Sequence, residues 1–139
     1  MKRGYFKQKL HKPLKQKQTG SPRINLKRKA WDLFSKWIRE RDKRCVTCGS
    51  TSQLQAGHFW HACLDFDEMN INAQCKHCNH FWSGNLAPYS VYLIRKHGLK
   101  AFEDLEKRHY IALRGEFRSD NDYEQIINKY QLKLKELEV

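Results

Sequence analysis

Four cysteines fall in two C-x-x-C pairs, Cys45/Cys48 and Cys75/Cys78, with 26 residues between them. Each pair sets two thiols on one knuckle at the bite a tetrahedral ion requires. Zinc favours four such ligands in a closed structural site, with Zn–S near ~2.3 Å. A redox dithiol needs only one such pair, so the doubled motif points to structural Zn²⁺. The ion would join the first helix to the last knuckle. At ~10–16 kcal/mol apparent, it would offset the small core of the segment between. Cys63 is left over and reads as a small buried apolar residue.

The segment between the knuckles carries chemistry of its own. Gln55-Ala56-Gly57-His58-Phe59 is followed by Asn70-Ile71-Asn72-Ala73-Gln74-Cys75 and then by Cys78-Asn79-His80. Phosphodiester hydrolysis needs a base to activate water, a divalent ion on the scissile phosphate and leaving oxygen, and a group that orients the base. Histidine ordinarily titrates near neutrality, so His58 can be the base. Asn70 can hold its imidazole, and Asn79 can offer a hard oxygen to Mg²⁺ or Mn²⁺. Taken singly, these residues read otherwise: His58 as a structural histidine, Asn70 and Asn72 as turn residues, His77 as a surface side chain. His80 would then be a cap or a packing partner of Trp82, and Trp82 core. The joint spacing is what favours a metal nuclease.

Several elements must position these groups. Ala30, Trp31, Phe34, Trp37, Ile38 and Arg41 recur at three and four, which predicts an amphipathic helix over 26–42 with both tryptophans in the core. Gly49 after Cys48 suits a reversed turn. Residues 53–59 and 70–74 read as short strands. Residues 60–69 read as irregular and acidic at Asp65, Asp67 and Glu68, and 75–78 open a helix running into Trp82. Pro88 suits a first helical turn, and Lys96-His97-Gly98 closes that helix. Residues 99–113 give another helix, and Ser119 caps a last one. In it Tyr123, Ile127, Tyr130, Leu134 and Leu137 form a stripe that packs on the protein's own core, with a coiled-coil partner as the alternative.

The 139 residues fit one domain with an appendage. With 27 Lys and Arg against 15 Asp and Glu, the net charge is +12. The mean hydropathy is −0.86, and no apolar run approaches the ~18 residues a membrane span needs. No apolar segment follows the basic start, so no secretory signal is expected. A reducing, cytoplasmic setting is the expectation, in which five cysteines suit metal better than disulfides. The charge is lopsided. Residues 1–29 hold Lys2, Arg3, Lys7, Lys9, Lys12, Lys15, Lys17, Arg23, Lys27, Arg28 and Lys29 and no acid, whereas 30–139 are near neutral. Segment 1–24, with Pro13, Gly20 and Pro22, reads as a basic disordered arm for a polyanion such as DNA. A membrane surface would be gripped weakly by so few apolar residues.

Together these residues resemble zinc-stapled HNH, or ββα-metal, nucleases and, more narrowly, the lambda NinG (Rap) recombination-nuclease family of phages. The similarity covers residues 28–98. It rests on Ala30-Trp31-x-x-Phe34-Ser35-x-Trp37-Ile38-Arg39-x-Arg41-Asp42, Cys45-x-x-Cys48-Gly49, Ala56-Gly57-His58-Phe59, Asn70-x-Asn72-Ala73-Gln74-Cys75-x-x-Cys78-Asn79 and Ser83-Gly84-Asn85 with Tyr89 following. The layout is also similar to that of junction-resolving endonuclease VII. The resemblance implies a structure-selective, metal-dependent DNA endonuclease acting on D-loops and Holliday-type junctions. It implies His58 as general base, Asn70 as the central asparagine, Asn79 as a ligand of a catalytic Mg²⁺ or Mn²⁺, and the four cysteines on structural Zn²⁺. One position departs: many HNH enzymes place a metal-binding acid directly before the base, and here that residue is Gly57. NinG-like sequences tend to share this glycine. His61, Asp65, Asp67, His80 or His58 itself could complete the ion's ligands. His61 and Asp65 are favoured because both lie on the short loop after His58.

The expected whole is α+β: a ββα-metal (HNH-like) core with a four-cysteine zinc site, flanked by helices. It divides into the arm (1–24), the core with its leading helix (25–98) and a C-terminal helical extension (99–139). Branched DNA and phage recombination proteins are the expected partners. Paired cuts would call for a homodimer, which the last helix could form. A different class competes: a non-catalytic zinc-stapled nucleic-acid binder in phage recombination or packaging, favoured by the missing acid before His58. An RNA endonuclease would share the same site, since a 2′-OH contact leaves no sequence signature.

Overall fold

The computed structural model describes residues 22–139, with side chains from residue 25 onward. The arm residues Lys2, Arg3, Lys7, Lys9, Lys12, Lys15 and Lys17, and the side chain of Arg23, lie outside what is described. The first helix, α1 (Pro22–Asp42), starts earlier than the apolar periodicity predicts. Pro22 holds the first helical position, where its fixed φ suits the turn and its missing N–H costs nothing. The expected arm boundary at residue 24 therefore falls inside α1. Ala30, Phe34, Trp37 and Ile38 form its buried face, while Lys27, Arg28 and Lys29 are exposed.

Two strands follow, β1 (Leu54–His58) and β2 (Ile71–Cys75), paired antiparallel with Gln55 opposite Gln74, Gly57 opposite Asn72 and His58 opposite Ile71. Side chains alternate across a strand. Ala56, Ala73 and Ile71 face α1 and join Phe34, Trp37 and Ile38 in one apolar cluster. The other face carries Gly57, Asn72 and Gln74, and it is buried too, although polar. Buried amides need hydrogen-bond partners, and long-range contacts supply most of them, as described below.

The helix expected over 75–82 is a single π-helical turn, His77–Phe81, in which the Trp82 N–H reaches back five residues to the His77 carbonyl at 3.0 Å. Such turns are rare and cluster at functional sites. Trp82, expected in the core, is 57% exposed beside exposed Phe81. Its ring meets His77 edge-on at 4.6 Å, while His80 packs on Phe81.

Helix α2 (Leu86–His97) carries Pro88 in its first turn and closes on Gly98; α3 (Leu99–Ala112) follows at once. Tyr89, Leu93, Leu105 and Ala112 from this pair enclose Phe59, Cys63 and Leu64 from the loop after β1. Helix α4 (Asp120–Leu137) starts with a capping box in which Ser119 and Asp122 satisfy each other's backbone N–H groups. Its Tyr123, Ile127 and Tyr130 pack against α1, with Phe34 meeting Tyr130 edge-on at 4.9 Å. The stripe is spent inside the protein, as its core reading anticipates, and only Leu137 at its end is largely exposed. The hairpin thus lies between two apolar clusters, one from α1 and α4 and one from α2, α3 and the loop.

Candidate metal centre and the adjoining histidine site

The four knuckle cysteines converge. Their sulfurs all lie within 4.8 Å of one another, and Cys48 and Cys75 approach to 3.6 Å. A tetrahedral zinc with Zn–S of ~2.3 Å has S···S edges near ~3.8 Å, so these thiols could hold a metal ion such as zinc. Local geometry explains the convergence. The Gly49 N–H returns to the Cys45 carbonyl at 2.8 Å with Gly49 at φ 80°, a left-handed turn that suits glycine. The Val46 N–H donates to the Ala73 carbonyl, tying the first knuckle to β2. Burial disfavours the Cys45 thiolate. The Thr47 hydroxyl and backbone N–H groups nevertheless overrule it and draw Cys45 down to about 6. Despite the Ser50 N–H, burial and the neighbouring thiols push Cys48 up, and burial pushes Cys78 up, so the metal-free cluster favours one thiolate rather than four.

His58 ends β1 and points toward α1. Its ring stacks on Trp31 at 5.5 Å and 18°, and Nε2 lies 3.0 Å from Asp65 Oδ1. Trp31, expected only as core, is therefore a wall of this site. The hydrogen bond from His58, acting against burial, holds Asp65 below the usual carboxylate range. An ionised carboxylate only accepts hydrogen bonds, so this contact calls for the proton on Nε2, and in a neutral ring Nδ1 is then the nitrogen able to accept. A cleft of about 210 Å³ opens here, lined by Lys27, Trp31, His58, Asp65 and Phe66.

Asn70 does not hold the imidazole, contrary to the sequence expectation; Asp65 does. The Asn70 side chain is fully buried. Its Oδ1 accepts from the Trp60 N–H at 2.8 Å, and Nδ2 donates to the carbonyls of Trp60, Cys63 and Leu64. It fixes the loop that brings Asp65 to His58. The same bond places Asp65 on the His58 imidazole, where the sequence favoured it as a metal ligand. Asp67, another candidate, accepts from the backbone N–H groups of Met69 and Asn70 and pairs with Arg108.

Beneath the hairpin a buried network fixes the strand ends. Arg41 pairs bidentately with Asp42 and donates to Asn72 Oδ1 at 2.8 Å, while Asp42 accepts the Ala73 N–H. Asn72 donates to the Tyr89 hydroxyl, which donates in turn to the Gly57 carbonyl at 2.7 Å. Burial drives the Tyr89 phenol upward, so it stays a donor.

On the face opposite His58, three residues meet over Gly57. A Cβ there would overlap Gln74 Oε1 and stand 3.0 Å from Asn79 Oδ1. Asn79 Nδ2 donates to Gln55 Oε1 at 2.8 Å, which turns Oδ1 toward Gly57. Gln74 Nε2 donates to the Gly84 carbonyl, while its buried Oε1 has no hydrogen-bond partner among the described residues. An orphaned buried oxygen, a second amide oxygen and a cradle without a side chain suit a hard divalent cation. His61 links the two faces. Its ring lies parallel to that of His58 at 6.5 Å, and its Nε2 lies near Gly84, 3.2 Å from where a Cβ would stand.

The structure thus gathers the four cysteines, and around the hairpin end it gathers His58, Asp65, Asn79 and His61. Sequence reasoning missed Gln74, Tyr89 and the stacking of Trp31 as parts of the site. The glycine before His58 was the available signal for Gln74, because a missing side chain in a buried strand leaves space that a neighbour must fill. Cys63 is buried as expected, but its sulfur also lies 3.1 Å from His109 Nδ1, whose ring stacks on Trp60 at 4.0 Å.

Fold and site define a small α+β protein whose two-stranded hairpin is fastened by a four-cysteine cluster able to take a metal, with a histidine–aspartate pair at the hairpin's end. The family model described as Bacteriophage Lambda NinG protein matches residues 2–139, and the chain belongs to that family. It is 36% identical over 124 residues to protein ninG of Salmonella phage P22, covering 84% of this chain and 59% of that protein. It is 38% identical over 124 residues to protein ninG of Escherichia phage 933W, covering 84% and 60%. Protein ninG of Escherichia phage lambda is 38% identical over 96 residues, covering 63% and 47%. The chain therefore spans between about half and three fifths of these relatives' length. No solved structure matches it. Among the described residues, no helix is long and apolar enough to cross a membrane.

Proposed function

We propose that this chain is a metal-dependent DNA endonuclease of the HNH (ββα-metal) kind that cuts branched recombination intermediates, with His58 as general base. The observation that carries this reading is the His58–Asp65 pair at 3.0 Å, open to a cleft that Lys27 also lines. Asp65 keeps the proton on Nε2, and His58 Nδ1 takes a proton from the attacking water. Lys27 offers a cation for the phosphate beside the base. Asn79 would supply an oxygen to a Mg²⁺ or Mn²⁺ ion, with His61 close by, and that ion would polarise the scissile phosphate and stabilise the leaving 3′ oxygen. Cys45, Cys48, Cys75 and Cys78 would hold a structural Zn²⁺ that fastens β2 to the first knuckle.

DNA binding would begin with Lys27, Arg28 and Lys29, exposed on α1, and continue through the basic residues that precede them. Acting on phage recombination intermediates would place the protein in the bacterial host cytoplasm, beside phage recombination proteins. Paired cuts at a junction would need two sites. Since α1 occupies the apolar stripe of α4, a homodimer would pair through another face. One observation favours a second reading, a non-catalytic binder: the position before His58 carries no carboxylate.

The test is a substrate panel. Zinc-loaded protein is incubated with a four-way junction, a flap and a linear duplex, with Mg²⁺, with Mn²⁺ and with neither. Nicking of the branched DNAs only when a divalent ion is added is the expected result. Equal binding of all three with no nicking under any condition would overturn the nuclease reading in favour of the binder.

A further inference from the structure

We infer that Gln74 is a metal ligand: its Oε1 and Asn79 Oδ1 form a divalent-cation site over Gly57, with an amide from the neighbouring strand standing where a carboxylate before the base is lacking. The inference rests on the nuclease reading for its purpose but on geometry for its position. Gln74 is fully buried, and its orientation is set by hydrogen bonding. Nε2 must face the Gly84 carbonyl, which only accepts, so Oε1 is the atom turned to Gly57. Among the described residues that oxygen has no hydrogen-bond partner, a costly state for a buried polar atom. Gln74 Oε1 and Asn79 Oδ1 border the same space, the one a Cβ at residue 57 would fill, and so form a donor pair.

Gly57 belongs to the same arrangement. In the hairpin register Gln74 is the diagonal neighbour of Gly57, close enough for a long side chain to cross. Any Cβ at residue 57 would overlap Gln74 Oε1. Glycine before His58 is thus the condition for a glutamine reaching in from β2. Amide oxygens are hard donors suited to Mg²⁺ or Mn²⁺. Both are neutral here, so the site holds the ion weakly by itself and more firmly when a phosphate adds charge. His61 Nε2 lies beside Gly84, whose carbonyl holds Gln74 Nε2.

The experiment uses Mn²⁺ on the zinc-loaded protein, read by NMR. Substoichiometric Mn²⁺ should broaden the side-chain amide signals of Gln74 and Asn79 and the backbone amide of Gly57 before all others. Broadening confined elsewhere, or none up to millimolar Mn²⁺, would overturn the site. A Gln74→Met variant keeps the volume and removes the oxygen. If it retains one zinc and its helical signal, its Mn²⁺ affinity should fall about tenfold or more by paramagnetic titration; unchanged affinity would also overturn the site. Mn²⁺ at this amide pair without DNA cleavage leaves the site standing and removes the nuclease reading. Cleavage with these amides untouched by Mn²⁺ does the reverse.

Discussion

His58 gains its chemistry from its neighbours rather than from its place in a motif. Trp31 stacks on one side of it, and Asp65 holds Nε2. If Asp65 orients the base and is not a metal ligand, Asp65→Asn should slow cleavage by about tenfold or more while leaving Mn²⁺ affinity unchanged. A matching loss of Mn²⁺ binding would return Asp65 to the ligand set. Asn70 makes the complementary case. Its side chain bonds only loop backbone, so Asn70→Ala should destabilise the fold by about 1–3 kcal/mol, read as a lower melting temperature. Residue types and spacing made the clustering of the four cysteines legible in the sequence and singled out His58 and Asn79 as candidates. The partners of His58 were not, because Asp65 and Trp31 reach it only after a loop and a helix are folded against β1. The placement of Gln74 was hidden for the same reason: it depends on the strand register and on the missing side chain at Gly57.

Helix ends were the most legible elements, since capping is local. Ser119 with Asp122, and Gly98 after a basic turn, act through their own chain neighbours. The hairpin was legible as two short strands, but its buried polar face was not, because Arg41, Asp42 and Tyr89 satisfy it from distant positions. The expected helix after Cys75 shrinks to one π turn, held between the cysteine cluster and the Gly84 turn. One carboxylate supplements the apolar docking of α4. Glu68 accepts from the Tyr130 hydroxyl and from Lys133 at 2.8 and 2.7 Å, with Lys129 at 3.2 Å. Burial disfavours its charge, yet these donors overrule burial and bring Glu68 down to about 2. A carboxylate depressed in the folded state contributes stability above its ordinary titration near 4.5, and that stability is lost as pH falls toward 2. Because the pair is partly exposed, Glu68→Gln should cost only about 1 kcal/mol at neutral pH. Its melting temperature should lie below that of the wild type at pH 7, and the gap should narrow as the pH falls below 4.5 and close as it approaches 2. A gap as wide near pH 2 as at pH 7 would assign the loss to packing instead.

At the scale of the whole molecule, two apolar clusters clasp a hairpin that is too short and too polar to stand alone, and the cysteine cluster closes it. Removing the metal should therefore act on folding as well as on rate. Cys75→Ser should lose zinc and much of the native circular dichroism, since structural zinc contributes ~10–16 kcal/mol apparent in comparable sites. An intact spectrum and an unchanged melting temperature would show that the clusters suffice. The charge asymmetry belongs to this scale too. Deleting residues 1–21, which leaves α1 whole, should flatten the salt dependence of DNA binding by ~0.9 in log–log slope for each phosphate that is no longer neutralised. Low-salt cleavage should remain. An unchanged slope would make those residues bystanders.

The role of His58 as general base is tested most directly by the single-turnover rate of four-way-junction cleavage by zinc-loaded protein in Mg²⁺. It is measured beside His58→Ala at concentrations where both bind the DNA fully. A fall of about 10²–10⁴-fold in the variant, with equal binding, is the expected result. A variant that cuts as fast as the wild type would show that the imidazole held by Asp65 is not the base.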